Sequence, residues 1–107
     1  MSLERGIELI RAAEYFEAHE ELEEEWLVAP ETERDFLQGL VHVAVAWYQA
    51  GRNNRPGCER QLEKAARRLS AYRPAHRGVD VDVVLEDVTH ARGLVAAGSL
   101  KLPAPRL

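Results

Sequence analysis

Two pairs of polar side chains, each spaced four residues apart, could carry chemistry in this sequence. His19 and Glu23 lie within the stretch EYFEAHEELEEEW, and Gln38 and His42 lie within FLQGLVHVAVAWY. Residues four apart share one face of a helix, so each pair is predicted to project together. The second stretch is otherwise apolar, and a buried polar group without a partner costs ~1–3 kcal/mol. We therefore expect one polar cluster, in which His19 and Glu23 face Gln38 and His42.

Four interpretations of this cluster remain open. The first is a satisfied hydrogen-bond network that fixes the register of two helices. The second is a metal site with His19, Glu23 and His42 as ligands, because two imidazoles and a carboxylate suit zinc or another divalent transition metal. The third is a metal-free acid/base pair, with His19 and Glu23 as catalytic candidates. The fourth is binding of a ligand or partner without chemistry.

Known metal motifs give the second interpretation no support. The zincin pattern H-E-x-x-H is absent, because Glu23 stands where the second histidine would be. The Glu-x-x-His motif of di-iron bundles is absent as well, because Phe16 and Gly39 precede the two histidines by three residues.

Helical periodicity runs through most of the chain. Helices are predicted over about residues 3–13, 15–28, 31–50 and 56–71, and a fifth from an Asp80 cap to Gly98. The predicted buried stripe of the second helix is Tyr15, Phe16, Leu22 and Trp26. The third helix is apolar nearly all round, which is typical of a helix covered on several sides. These features predict an all-α, compact single-domain bundle of four to five helices, with a central apolar helix at about 31–50.

Several small and polar residues are predicted to shape the ends and contacts of these helices. Gly51 suits the position after the third helix, and Asn54 suits an N-cap before Pro56. Gly39 is predicted to allow close approach of a neighbouring helix. If that neighbour is the second helix, Gly39 brings Gln38 and His42 near His19. Residues 99–107 contain two prolines and are predicted to form an extended C-terminal tail.

Length and composition indicate one soluble globular domain. The chain has 107 residues, of which 46% are hydrophobic and 30% are charged. No apolar run approaches the ~18–20 residues that span a bilayer, and a charged N-terminus is unlike a signal peptide. Cys58 is the single cysteine, so nothing in the sequence requires an oxidising compartment. We therefore expect a cytoplasmic protein with no membrane partner.

The two halves of the chain carry opposite charge. Residues 1–50 hold twelve acids and three bases, and residues 51–107 hold six acids and eleven bases. The bases alternate with Glu59 and Glu63 and lack interleaved aromatic residues, so nucleic acid is not an expected partner. An acidic helix packed beside a basic one explains the asymmetry better, and a homo-oligomer is a further expectation.

The segments AEYFEAHEELEEEW, RDFLQGLVHVAVAWYQAGRN and NRPG resemble domain-of-unknown-function family 309, a family of small uncharacterised helical proteins. The resemblance runs from about Ala12 to Asp80 and implies a helical domain, with no known activity. Its pattern falls on the following positions: His19, Glu20, Glu23, Trp26, Gln38, Gly39, Asn54 and Gly57. Two positions depart from it. Ala13 stands where the family commonly has Gly, and His42 stands where Gln is expected.

The function predicted from the sequence is a non-enzymatic binding or assembly module built around the polar cluster. The predicted binding residues are Tyr15, His19, Glu20, Glu23, Trp26, Gln38, His42 and Asn54. The alternative is a small metal-dependent or acid/base hydrolase that uses His19, Glu23 and His42.

Overall fold

Five α-helices make up most of the molecule. The computed structural model describes residues 2–107 and contains α1 (Ser2–Arg11), α2 (Tyr15–Val28), α3 (Glu31–Gly51), α4 (Arg55–Leu69) and α5 (Val81–Ala96). A turn of 3-10 helix, Ser70–Tyr72, extends α4. No strand occurs in the described part of the chain, apart from an isolated bridge between His76 and Val79. The predicted all-α single-domain bundle is confirmed. No helix among the described residues has the length and apolarity needed to cross a bilayer.

The centre of the bundle is α3, as its all-round apolar character predicts. It packs against α2 on one side and α4 on the other. Phe36, Leu37, Leu40 and Val43 are fully buried along it. Each such side chain is worth ~1.5–3 kcal/mol when it is removed from water. This burial holds α2 and α4 against α3, and a polar side chain of α3 that is buried in these contacts needs a partner from a neighbouring element.

Two glycines set how closely the helices approach one another. A Cβ added at Gly39 would lie 2.6 Å from Cδ2 of Leu69 on α4. A Cβ at Gly6 of α1 would lie 2.6 Å from Cδ2 of Leu22 on α2. The close approach expected at Gly39 is therefore present, but the neighbour is α4 and not the acidic α2.

Three helices end in the same hydrogen-bonding motif. After α1, the Glu14 N–H donates to Leu9 O and the Ala13 N–H donates to Ile10 O, which is the Schellman pattern. The same pair of bonds follows α3 around Asn53 and follows α5 around Gly98. The residue that reverses the chain has a positive φ each time: 60° at Ala13, 61° at Asn53 and 94° at Gly98.

The Schellman motifs correct the expectation for Gly51 and show how the turn forms with Ala13 in place of the glycine common in the resembled family. Gly51 is not the residue that follows α3, because it is the last residue of the helix and Asn53 takes the left-handed position instead. Ala13 adopts the conformation that glycine adopts most easily, so the turn forms although its residue is poorly suited to it. The turn between α1 and α2 is thus retained at a conformational cost.

The remaining caps follow the sequence closely. The Asn54 side chain accepts a hydrogen bond from the Gly57 N–H at the start of α4, and the Asp80 side chain accepts one from the Val83 N–H at the start of α5. The apolar stripe of α5 is buried and includes Val84, Val88, Ala91 and Val95. The predicted stripe of α2 is partly wrong, because Phe16 is 44% exposed and Ala18 is buried in its place.

Residues 99–107 contain no regular secondary structure and lie across the bundle. Nε1–H of Trp47 donates to Pro103 O at 3.0 Å. The Arg106 guanidinium contacts the Asp87 carboxylate at 2.9 Å, and Arg11 donates to Leu107 O. These contacts tie the tail to α1, α3 and α5. They lie away from the region between α2 and α4.

Candidate functional site

A cleft of about 310 Å³ lies over the middle of α3, between α2 and α4. Its walls come from three helices: His19, Glu23 and Trp26 of α2, Gln38, Val41, His42 and Val45 of α3, and Gln61 of α4. Residues 38, 41, 42 and 45 recur at helical spacing, so one face of α3 forms the floor. The four residues of the predicted cluster therefore line one cleft, and Gln61 joins them.

His42 lies at the buried side of the cleft and is only 9% exposed. Its Nδ1 lies 2.7 Å from Oε1 of Gln61. An amide oxygen only accepts, so Nδ1 carries the hydrogen and a neutral ring presents a lone pair at Nε2. Nε2 is buried and has no hydrogen-bond partner among the described residues. His42 therefore offers one unused acceptor.

The charge state of His42 follows from its surroundings. Burial lowers the pKa of His42, the hydrogen bond to Gln61 raises it, and the cations of Arg68, Lys64 and Arg67 lower it. The net pKa lies below the ordinary value of 6.5. The ring is consequently neutral at neutral pH, and its lone pair is available there.

Trp26 brings the opposite capability to the same cleft. Its indole Nε1–H is buried and makes no hydrogen bond within residues 2–107. The guanidinium of Arg34 lies 4.8 Å from the centroid of the Trp26 ring, which is cation–π distance. This contact fixes the ring against α3 while leaving the N–H unused. Trp26 and His42, which carry a buried donor and a buried acceptor without partners, thus line the same cleft.

His19 and Glu23 form the solvent-facing edge of the cleft. Nδ1 of His19 donates to the Phe16 carbonyl oxygen at 2.6 Å, and Nε2 lies 3.1 Å from Oε1 of Glu23. The Glu23 side chain is 53% exposed. An exposed i,i+4 pair of this kind contributes little to stability, about 0.3–0.5 kcal/mol. The Glu23 carboxylate, the only one in the cleft lining, therefore lies at the solvent-exposed edge, and the uncharged groups of the lining lie further inside.

The three predicted metal ligands do not form a ready coordination group. No set of three His, Cys, Asp or Glu side chains in residues 2–107 is placed to hold a metal ion. His42 is directed by its hydrogen bond to Gln61, and His19 is paired with Glu23. In this arrangement both histidines use ring nitrogens in contacts with Gln61, the Phe16 carbonyl oxygen and Glu23.

Three other predicted binding residues lie outside the cleft lining. Tyr15 lines a separate surface depression with Phe16 and Tyr48, whose rings are 5.4 Å apart. Glu20 is exposed on α2. Asn54 caps α4 and its amide donates to Gln49 Oε1 at 3.0 Å. The capping role expected for Asn54 is what the structure shows.

Sequence reasoning missed Gln61, the residue that sets the His42 tautomer. Gln61 lies in the predicted α4 helix, between its apolar stripe and its charged face. Its place directly before Leu62, a buried residue of α4, was the available signal. The buried face of α4 includes Cys58, Leu62, Ala65 and Leu69. Burial, followed by the nearby Glu59, raises the pKa of the Cys58 thiol and keeps it protonated.

A second histidine also acquired a partner that spacing did not predict. Nε2 of His76 lies 2.8 Å from Oε1 of Glu33, and its ring packs edge-on against Phe36 at 4.7 Å. The Tyr72 ring lies 4.9 Å from the His76 ring and 5.4 Å from the Phe36 ring, so the three rings form one cluster. These contacts attach the loop before α5 to the start of α3, so the role of His76 in this fold is structural.

Comparison with known proteins places the chain in a family. Residues 3–61 match the family described as "Domain of unknown function (DUF309)", which is more than half of the chain. The chain belongs to the DUF309 family. The matched range runs from α1 into α4 and includes every residue that lines the cleft, with Gln61 as its last position.

One curated relative carries no assigned activity. The chain is 36% identical over 75 residues to "Uncharacterized protein YpuF" of Bacillus subtilis (strain 168). The alignment covers 69% of this chain and 41% of that protein, so the chain spans about two-fifths of the length of its relative. No solved structure matched the chain. The DUF309 assignment thus supports the predicted resemblance and leaves function to the geometry of the cleft.

Proposed function

We propose that this DUF309 protein is a non-enzymatic binding module whose cleft between α2, α3 and α4 takes a small polar molecule. The observation that carries the proposal is the pair of buried atoms without partners, Nε2 of His42 and Nε1–H of Trp26. Each unmet group costs ~1–3 kcal/mol, and a ligand that meets both recovers that free energy. The volume of about 310 Å³ is at the small end of ligand sites.

The composition of the cleft favours recognition over scaffolding. Val41 and Val45 supply an apolar wall, and the Trp26 ring supplies a flat surface. A few polar groups set against such walls are the usual composition of small-molecule sites. The alternative expectation, a network satisfied by its own members, accounts for Nδ1 of His42 but not for Nε2.

Fragment binding followed by ¹⁵N NMR tests the proposal. A panel of small neutral, anionic and cationic aromatic fragments is added, and the indole N–H signals of Trp26 and Trp47 are followed. Binding in the cleft shifts the Trp26 signal and leaves Trp47 in place, because the Trp47 N–H is already bonded to Pro103 O. A panel that leaves Trp26 unmoved contradicts the proposal.

Acid/base hydrolysis with His19, Glu23 and His42 is the second candidate function. The neutral His42 ring favours it, because Nε2 is an unprotonated base at neutral pH. Glu23 and His19 stand at the solvent edge, where water reaches them. Product formation from bound ester or amide fragments, lost in His42→Gln, would favour this candidate. Stable fragments in wild-type protein over the same period would favour the binding module.

A homo-oligomer is proposed from the charges of the outer helices. The exposed side of α2 carries glutamates, including Glu20 and Glu24, and α4 carries exposed Arg60. Salt-sensitive self-association is the expected consequence. Light scattering at low and high ionic strength checks it, and a monomer at both would contradict it.

Nucleic acid is left out as a partner, and a cytoplasmic location is proposed. Arg55 and Arg67 of α4 are paired with Glu59 and Glu63, so the helix presents a mixed surface. Binding of duplex or single-stranded nucleic acid at low salt would overturn the proposal that nucleic acid is not a partner.

The single free thiol of Cys58 favours a reducing compartment, which supports the proposed cytoplasmic location. Localisation of the tagged protein in its native cell tests that location.

A further inference from the structure

We propose that the group recognised in this cleft is an uncharged carboxamide, whose N–H donates to Nε2 of His42 and whose carbonyl oxygen accepts from Nε1–H of Trp26. This inference rests on the proposed binding function and names its ligand class. It follows from the donors and acceptors that remain unused in the cleft, and from the charges around them.

The His42 side demands a donor from the ligand. Because Oε1 of Gln61 holds the hydrogen at Nδ1, Nε2 of the neutral ring only accepts. His42 is 9% exposed, so bulk water is a poor substitute for a ligand N–H at that atom. A ligand without a donor leaves this acceptor unmet.

The Trp26 side demands an acceptor. An indole nitrogen only donates, so the ligand atom that meets it must carry a lone pair. The N–H is buried and unpartnered in the described structure. A ligand that brings only donors leaves this N–H without an acceptor. Such a ligand should bind more weakly, because sites built for hydrogen bonding reject analogues that lack the matching group.

Charge argues against both ionic alternatives. The α4 cations Lys64, Arg67 and Arg68 act on His42 and oppose a further positive charge beside it. A carboxylate has no hydrogen to give to Nε2, and its charge would lie against that lone pair. Glu23 is the one acidic residue of the lining, and its exposed position draws cations to the edge only. A neutral group with one donor and one acceptor fits the buried end best.

Benzamide, benzoate and benzamidine form a matched set for the test. The three share one ring and one planar head of similar size, and they differ in charge and hydrogen-bonding pattern. Titration of the full chain near neutral pH, read by calorimetry and by the Trp26 indole signal, compares them directly. Benzamide is expected to bind about tenfold more tightly than either ion, as one unmet hydrogen bond predicts.

Two variants assign the contacts. Trp26→Phe keeps an aromatic ring and removes the N–H, and His42→Phe keeps the ring shape and removes the acceptor. Each is expected to weaken benzamide binding about tenfold, with folding checked by circular dichroism. Trp47→Phe is the control on the same helix as His42, and it leaves the affinity unchanged because Trp47 contacts the tail.

The outcomes separate this inference from the proposal beneath it. Tightest binding by benzoate or benzamidine at the Trp26 signal overturns the carboxamide and retains the binding function. No movement of the Trp26 signal with any of the three overturns both. Benzamide binding that Trp26→Phe leaves unchanged overturns the assigned contact even if His42→Phe fails to fold.

Discussion

Oε1 of Gln61 lies 2.7 Å from Nδ1 of His42 and holds the proton of the imidazole on that side. This contact joins α4 to the floor of the cleft on α3 and decides which ring nitrogen of His42 is left without a hydrogen-bond partner. The remaining properties of the site follow from it: a neutral ring, a free lone pair at Nε2, and a mixed donor–acceptor cleft.

Removing Gln61 is expected to destabilise the protein through His42. Gln61→Leu leaves Nδ1–H of His42 without its acceptor, and the free energy of unfolding should fall by about 1–3 kcal/mol. Denaturant unfolding of Gln61→Leu, His42→Phe and the double variant measures the coupling. In the His42→Phe background the Gln61 substitution should cost little. An equal loss of unfolding free energy in wild-type protein and in His42→Phe would mean that Gln61 stabilises the fold through a different contact.

Stability should fall as the pH drops below the ordinary histidine range. The pKa of His42 in the folded state is lower than its value of 6.5 outside the fold, because burial disfavours the charged ring. Below pH 6.5 the unfolded chain takes up this proton first, so acid favours unfolding; above it the contribution of His42 is fully present. His42→Gln should flatten this dependence in thermal melts over mildly acidic pH. The same substitution at exposed His90 is the control, and equal flattening there would contradict the assignment.

The Schellman turns predict opposite effects for two exchanges of alanine and glycine. Ala13 has a φ of 60°, a conformation that costs roughly 1–2 kcal/mol for a residue with a Cβ, so Ala13→Gly should stabilise the fold by about that amount. Gly98 has a φ of 94° in the same motif, so Gly98→Ala should destabilise it. Denaturant midpoints of both variants test the pair. Stabilisation by Gly98→Ala would contradict the shared explanation.

Two helical glycines should respond differently to an added methyl group. At Gly39 a Cβ would meet buried Leu69 at 2.6 Å, and overpacking of this kind costs about 1–3 kcal/mol. At Gly93 of α5 nothing lies within 4 Å, so Gly93→Ala should stabilise its helix by about 0.5–1 kcal/mol. The comparison is made by chemical denaturation, and a neutral Gly39→Ala would show that α4 shifts without loss.

Local patterning predicted the helices well because most of them have one-sided apolar stripes. The boundaries of α2 agree with the expectation, and α3 is longer by one residue. The ends of the helices were harder to predict, because they depend on which residue adopts a positive φ. After α3 that residue is Asn53, whereas Gly51 was expected to follow the helix. Phe16 is predicted in the buried stripe of α2, whereas its side chain is 44% exposed and its ring packs against His19 and Tyr48 at the surface.

The site was predictable only in part for a related reason. The spacing of His19 with Glu23, and of Gln38 with His42, identified faces within single helices, and those faces do line one cleft. The partner of His42 lies 19 residues away on α4, and no periodicity within one helix reports on contacts between helices. Tyr15 and Asn54 were grouped with the site although they lie elsewhere, because sequence order does not give the rotation of one helix against another.

The tautomer and charge of His42 form the central claim, and long-range ¹H–¹⁵N NMR of the imidazole nitrogens measures both directly. We expect a neutral ring at neutral pH with its hydrogen on Nδ1, a pKa below 6.5, and a shift of the Nε2 resonance when benzamide is added. A ring protonated at Nε2, or charged at neutral pH, would remove the acceptor at Nε2 and would contradict this assignment.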